Sequence, residues 1–150
     1  MKINIRDSNS SFGDTIEPRK IYKFSSNKIN TPILHYFICI VRDDGDFLVM
    51  TCCTSQFEKR KKFIEARPDI PNSTLVWIDA PNDDNHLTKE TYIDCNNYIE
   101  YSVAELQQKY NQEEITFEGE ISEVHFLQII QGLLDSPEIE DEIKEMLPII

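Results

Sequence analysis

The chain has 150 residues, 40% of them hydrophobic, and carries 15 Lys+Arg against 27 Asp+Glu for a formal net charge of -12. That length and apolar content bury one sizeable core, which excludes disorder along the whole chain and makes a single compact domain with an appended segment the expected organisation. The charge is uneven: residues 1–99 hold 13 Lys+Arg and 14 Asp+Glu, whereas residues 100–150 hold 2 and 13, so a polyanion is repelled by the C-terminal third and must approach through the rest.

Residues 1–18 are polar, with Ser8-Asn9-Ser10-Ser11 and Gly13-Asp14, and read as an N-terminal arm. No apolar leader follows Met1-Lys2, and the longest apolar run, from Ile33 to Val41, is interrupted by His35 and too short to cross a bilayer. A soluble, cytoplasmic protein without membrane contact is expected. That run is rich in β-branched and aromatic residues, and a second, Phe47 to Cys53, follows across Asp43-Asp44-Gly45-Asp46, the signature of a β-hairpin. Met50-Thr51-Cys52-Cys53-Thr54-Ser55-Gln56 ends in hydroxyls and an amide, with Lys59-Arg60-Lys61-Lys62 just beyond, reading as a solvated loop or helix face or as charge placed for a phosphate.

Thr74-Leu75-Val76-Trp77-Ile78, Thr91-Tyr92-Ile93-Asp94-Cys95 and Tyr98-Ile99-Glu100-Tyr101 supply further short strands between polar loops, and Trp77 between Val76 and Ile78 reads as core. Several short strands at this spacing point to a small barrel, a core expected to span residues 19–101. After Ser102 the period changes. Residues 103–110 fit a short helix, Ile115 to Gly119 an edge strand or a connection, and Val124, Leu127, Ile130, Leu133 and Leu134 recur at helical spacing. Ser136-Pro137 opens a last helix, so residues 102–150 form an acidic helical segment packed on the barrel. Cys39, Cys52, Cys53 and Cys95 lie in apolar runs without C-x-x-C spacing and read as reduced, buried thiols; His86 and His125 lack a ligand cluster, so neither metal nor cofactor is expected.

The order His35-Tyr36-Phe37 in a strand, an Asp44-Gly45 turn, Thr54-Ser55-Gln56 at a strand end, then Leu87-Thr88-Lys89-Glu90-Thr91-Tyr92-Ile93-Asp94-Cys95-Asn96 and a helical tail resembles the PemK/MazF-like toxin superfamily of toxin-antitoxin modules over residues 19–147. The resemblance implies a β-rich α+β fold, a small SH3-like barrel with flanking C-terminal helices. It further implies a homodimer, RNA cleavage without a metal, growth inhibition, and a cognate antitoxin that holds the protein inactive. The chain also departs from that pattern. Where better-known members carry a Gly-x-Arg-Pro element with a catalytic arginine, this chain has Thr31-Pro32-Ile33-Leu34-His35, and the second family arginine is missing around Asp94-Cys95-Asn96-Asn97.

RNA cleavage without a metal needs a base for the 2′-hydroxyl proton, an acid for the leaving oxygen, and donors or cations for the charge on phosphate. An imidazole titrates near neutrality, so His35 is a candidate base or acid, with the alternative of a structural histidine sharing strand parity with Phe37, Cys39 and Val41. Thr54 and Ser55 complete the candidate catalytic set. Gln56, Lys59, Arg60, Lys61, Lys62 and Lys89 are the candidate RNA- or phosphate-binding residues. The missing arginines leave a second reading open, a catalytically inactive SH3-like barrel that binds protein or RNA.

Overall fold

Runs of β-branched and aromatic residues become strands only where a neighbouring strand satisfies the backbone, and here they assemble into one antiparallel sheet. The computed structural model describes residues 11–29, 33–54, 56–78, 85–87 and 90–148. Among these, the strands are β1 (Lys20–Phe24), β2 (His35–Arg42), β3 (Phe47–Thr54), β4 (Leu75–Ile78), β5 (Thr91–Asp94), β6 (Ile99–Ser102) and β7 (Ile115–Glu120). The helices are α1 (Phe57–Glu65), α2 (Val103–Asn111), α3 (Glu123–Asp135) and α4 (Asp141–Met146), with short 3-10 turns at Phe12–Thr15 and Asn72–Thr74. The protein is therefore α+β.

The sheet order is β4-β5-β3-β2-β1-β7, with β6 also on β3. The β2–β3 hairpin forms at the Asp-Gly turn, where the Asp43 carboxylate accepts the N–H groups of Gly45 at 2.9 Å and Phe47 at 2.8 Å. The left-handed position in this turn is taken by Asp46 (φ 63°), whose carboxylate is held by Arg42 at 2.8 Å. Strands β5 and β6 lie end to end beside β3, pairing Thr54↔Tyr92 and Cys53↔Ile93 at one end and Met50↔Ile99 to Phe47↔Ser102 at the other. Between them residues 94–98 stand opposite only Thr51 and Cys52, a bulge whose polar groups must find partners elsewhere.

The expected small barrel is corrected by this path: among the described residues β4 and β7 remain edges, and the sheet is not closed into a barrel. The physical reason is that both faces of the sheet are apolar. On one face Ile21, Ile38, Ile40, Val49 and Ile93 pack under Phe126, Ile129, Ile130 and Leu133 of α3 and Ile143 of α4. On the other, Tyr22, Phe24, Phe37, Cys39, Leu48 and Met50 pack under Ile16 and under Val103 and Leu106 of α2. A sheet with a core on each face is served by two helical layers, whereas a small closed barrel fills one interior. A partial approach to closure survives, since Asn85, between β4 and β5 in sequence, bridges Gly119 of β7 and the His86 N–H donates to Glu118 at 3.0 Å.

Part of the expected N-terminal arm is docked. Phe12 stacks on Tyr110 at 4.4 Å, the Gly13 N–H donates to Gln107 Oε1 at 2.6 Å, and Ile16 is buried. Residues 1–10 lie outside the described residues. Helix α2 opens with a capping box in which Ser102 and Glu105 exchange hydrogen bonds at 3.1 and 2.8 Å, an arrangement worth about 1 kcal/mol. Of the two readings for the stretch from Ile115, an edge strand or a connection, the structure has the strand, β7, within the mostly helical C-terminal segment.

Gly132 sets how closely α3 approaches the sheet: a Cβ there would lie 2.8 Å from Cys95 Sγ and 2.9 Å from the Ser73 carbonyl oxygen. Backbone cannot yield as a side-chain tip can. Gly132→Ala is therefore expected to lower the urea midpoint, by about 1–3 kcal/mol of unfolding free energy with the slope unchanged, despite alanine's better helix propensity.

Candidate functional site

The corner where β3 ends and α1 begins carries most of the candidate residues. Thr54 closes β3, and its Oγ1 accepts the Gln56 N–H at 3.0 Å, turning the chain into α1. Gln56 is exposed at the N-cap without a side-chain capping bond. His35 opens β2 opposite Phe24 of β1. On its other side the β2–β3 ladder runs Ile38↔Thr51 and Phe37↔Cys52, and continuing that register by two residues sets His35 across from Thr54. Because Thr54 pairs with Tyr92 and Tyr92 with Trp77, one row crosses the sheet on one face: Phe24, His35, Thr54, Tyr92, Trp77.

His35 is half-buried, and its Nδ1 lies 3.1 Å from the Ile33 carbonyl oxygen. A carbonyl only accepts, so in the neutral imidazole that contact places the proton on Nδ1 and leaves the Nε2 lone pair available. The Thr54 hydroxyl, having accepted one bond, still has a proton to donate.

The basic tetrad is divided by the helical period. Lys59, Lys61 and Lys62 are exposed, with Lys61 Nζ 5.7 Å from the centroid of the Phe57 ring, four residues earlier on α1. Arg60 turns inward, where Nη1 lies 3.6 Å from Asp94 Oδ2 and Nε is buried without a hydrogen-bond partner among the described residues. Phe57 packs on Tyr92 at 4.5 Å between centroids, so α1 lies across the same face of β5. Ser55 and Lys89 lie outside the described residues.

Sequence reasoning missed the aromatic component. Val76 and Ile78 are core, so strand parity turns Trp77 to the opposite face, where it is 49% exposed; the expectation of a core tryptophan is corrected for that reason. The alternation was present in the sequence, but apolar residues on both sides masked it. Asp94 was equally hidden: its side chain is only 5% exposed, and it became informative only once Arg60 was placed against it.

All four thiols are free. Burial pushes the Cys52 thiol up to about 11, with the Arg60 charge pulling partly the other way, and burial pushes Cys39 up to about 12. Cys53 and Cys95 are also raised by burial. Nucleophilic cysteine chemistry is thereby disfavoured, because the thiolate is the reactive form. Among the described residues no group of three or more His, Cys, Asp or Glu side chains is placed to hold a metal ion, and no helix is long and apolar enough to cross a membrane.

No protein-family model matches the chain, and no curated protein matches it. The geometry of this corner therefore has to carry the functional reading.

Two measurements check the corner. Asp94→Ala removes the partner of Arg60 and the acceptor for Asn96 and Asn97, so an unfolding titration should show a loss of about 2–4 kcal/mol, against under about 0.5 kcal/mol for Lys61→Ala on the exposed face. Raised pKa values keep the thiols protonated, so iodoacetamide should modify Cys52 in the native protein at pH 8 about 100-fold more slowly than a free cysteine, as followed by mass spectrometry; rates should climb as pH approaches 11.

Proposed function

We propose that the protein acts on RNA as a metal-independent endoribonuclease of a toxin-antitoxin module, with the corner between β3 and α1 as its site. The observation that carries this reading is the β2–β3 register, Phe37↔Cys52, which carried on by two residues brings His35 at the start of β2 towards Thr54, a hydroxyl donor at the end of β3, with the three exposed lysines of α1 following in the chain. In this mechanism Nε2 of His35 takes the proton of a ribose 2′-hydroxyl as that oxygen attacks the adjacent phosphorus. The bond to the 5′-oxygen breaks, and the imidazolium returns the proton to the leaving oxygen, giving a 2′,3′-cyclic phosphate and a free 5′-hydroxyl. Thr54 donates to a non-bridging oxygen, while Lys59, Lys61 and Lys62 offset the charge of the flanking phosphates. Tyr92 and Phe57 provide an aromatic surface alongside, suited to an unstacked base.

The PemK/MazF-like resemblance supplies the biological setting of this proposal: a cytoplasmic homodimer, inhibited by a cognate antitoxin and stopping growth by RNA cleavage when released. Its SH3-like element is supported by the Asn85–Gly119 bridge, which draws the connection after β4 towards β7, and the fold would then be an opened version of that barrel. A second reading, an RNA- or protein-binding module without catalysis, is favoured by one specific observation. Arg60, the arginine nearest Thr54 in sequence among the described residues, is engaged with Asp94, so no family-type arginine is added to the hydroxyl.

Incubating the purified protein and His35→Ala with single-stranded RNA separates these readings. The parent is expected to cleave, and His35→Ala to lose about 100-fold or more in rate with an unchanged circular dichroism spectrum. Equal cleavage by the variant removes His35 from the mechanism. A parent that retains RNA with steep salt dependence but leaves it intact establishes the binding module.

A further inference from the structure

An unpaired sheet edge presents main-chain donors and acceptors to solvent, and natural sheets blunt such edges with charge, proline, bulges or a covering segment. The two edges of this sheet differ in that respect. Strand β7 carries Glu118 and Glu120 and receives the Asn85 bridge and the His86 N–H. Strand β4 is Leu-Val-Trp-Ile, without charge, proline or bulge, and among the described residues it pairs only with β5.

The ladder phase shows which backbone groups face outward. Cys95 N–H donates to the Thr74 carbonyl at 2.7 Å, and alternate pairs on the same register, Val76↔Ile93 and Ile78↔Thr91, are therefore the mutually bonded ones. Leu75 and Trp77 point their N–H and C=O groups the other way. The Leu75 N–H is taken by the Asn72 carbonyl, so that, among the described residues, the Leu75 C=O and both backbone groups of Trp77 face away from β5 at the open edge.

Beside this edge runs an open groove of about 540 Å³ between β4 and α3, lined among others by Ser73, Leu75, Trp77, His125, Gln128 and Gln131, with no Asp, Glu, Lys or Arg in its lining. In a chain with 28% charged residues, such a wall avoids the cost of desolvating a formal charge, and its glutamines and serine can pair with polar groups of an incoming chain. Val124 and Leu127 extend the apolar surface on α3, exposed at 64% and 38%.

We propose that the outer edge of β4 and this groove form a strand-addition site for an extended, cationic segment of another protein. The main chain of that segment pairs with Leu75 and Trp77, and its alternate apolar side chains enter the groove. Charge decides against a second copy as occupant. Helix α3 holds Glu123 and Asp135 and neither Lys nor Arg, and residues 100–150 hold 13 Asp+Glu against 2 Lys+Arg, so edge-to-edge pairing of two copies would oppose like charges, whereas lysines or arginines flanking a partner strand are attracted. This inference does not rest on the RNA reading, since the edge is formed by β4 and α3 rather than by the corner of β3 and α1.

The test uses the full chain and a short synthetic peptide of alternating valine and threonine with lysines at both ends. Hydrogen exchange of the Trp77 amide should slow by about 10-fold on saturation with peptide, and the same peptide N-methylated along one bonding edge should have no effect. Replacing its lysines by glutamates should weaken binding by about 10-fold or more, and the double variant Gln128→Lys with Gln131→Lys should do the same at an unchanged unfolding midpoint. Trp77→Pro removes an outward N–H without touching a β4–β5 bond and should abolish protection of the remaining edge; the glutamine variants decide the matter if that protein fails to fold. Protection of Trp77 that grows with protein concentration alone, no response to the peptide, or an equal response to its methylated form overturns the proposal.

Discussion

The buried side chain of Asn96 holds the molecule's separate pieces in one arrangement. Its Nδ2 donates to Thr74 Oγ1 at 3.0 Å and to Asp94 Oδ1 at 2.8 Å, its Oδ1 accepts from Ser136 Oγ at 2.7 Å, and its N–H donates to Asp94 Oδ1 at 3.0 Å. Asn96, Thr74, Asp94 and Ser136 are all buried. This one amide therefore ties the bulge between β5 and β6 to the turn before β4 and to the C-terminal end of α3, and through Asp94 to Arg60 of α1. Buried polar groups are costly when unpaired, so the network tolerates few alternatives and fixes the start of β4 relative to α3 and α1.

From that constraint the rest of the architecture follows. The bulge lets a single course of chain line β3 along its whole length while presenting β5 to β4, which widens the sheet beyond what the hairpin and β1 alone provide. With the sheet widened, two faces need cover. Helix α3 closes one, seated as closely as Gly132 permits, while α2 and the docked turn at Phe12–Thr15 close the other. Helix α1 is left to cross the end of the second face, where its period sends Arg60 to Asp94, Phe57 to Tyr92 and the lysines to water. The proposed RNA corner and the free edge of β4 are thus both consequences of where the polar network anchors the chain.

Legibility differed between these parts for physical reasons. The hairpin of β2 and β3 was readable because its turn chemistry is local, as were β4 to β6 and the helices α2 and α3, whose caps and spacing lie within a few residues. Strand β1 was not anticipated: Lys20-Ile21-Tyr22-Lys23-Phe24 buries residues on both faces, which removes the alternation that marks a half-exposed strand. The spacing of short strands that pointed to a small barrel carries no record of which faces they cover, and so did not show a core on each side of an open sheet. At the site, the residue types were visible and their orientations were not; nothing local says that Arg60 turns inward while Lys59 and Lys61 do not.

The sequence by itself determined the residues available for chemistry, the hairpin, the concentration of acidity after residue 100, and the reduced state expected of four apolar-flanked cysteines, because each depends on composition or on neighbours a few positions away. Only the tertiary structure decided that the sheet stays open with a core on each face, that the β2–β3 register brings the start of β2 towards the end of β3, that Arg60 is held by Asp94, and that β4 is an uncharged edge among the described residues. Those are relations between residues tens of positions apart, set by register and by which buried polar groups satisfy one another, and no periodicity along the chain encodes them.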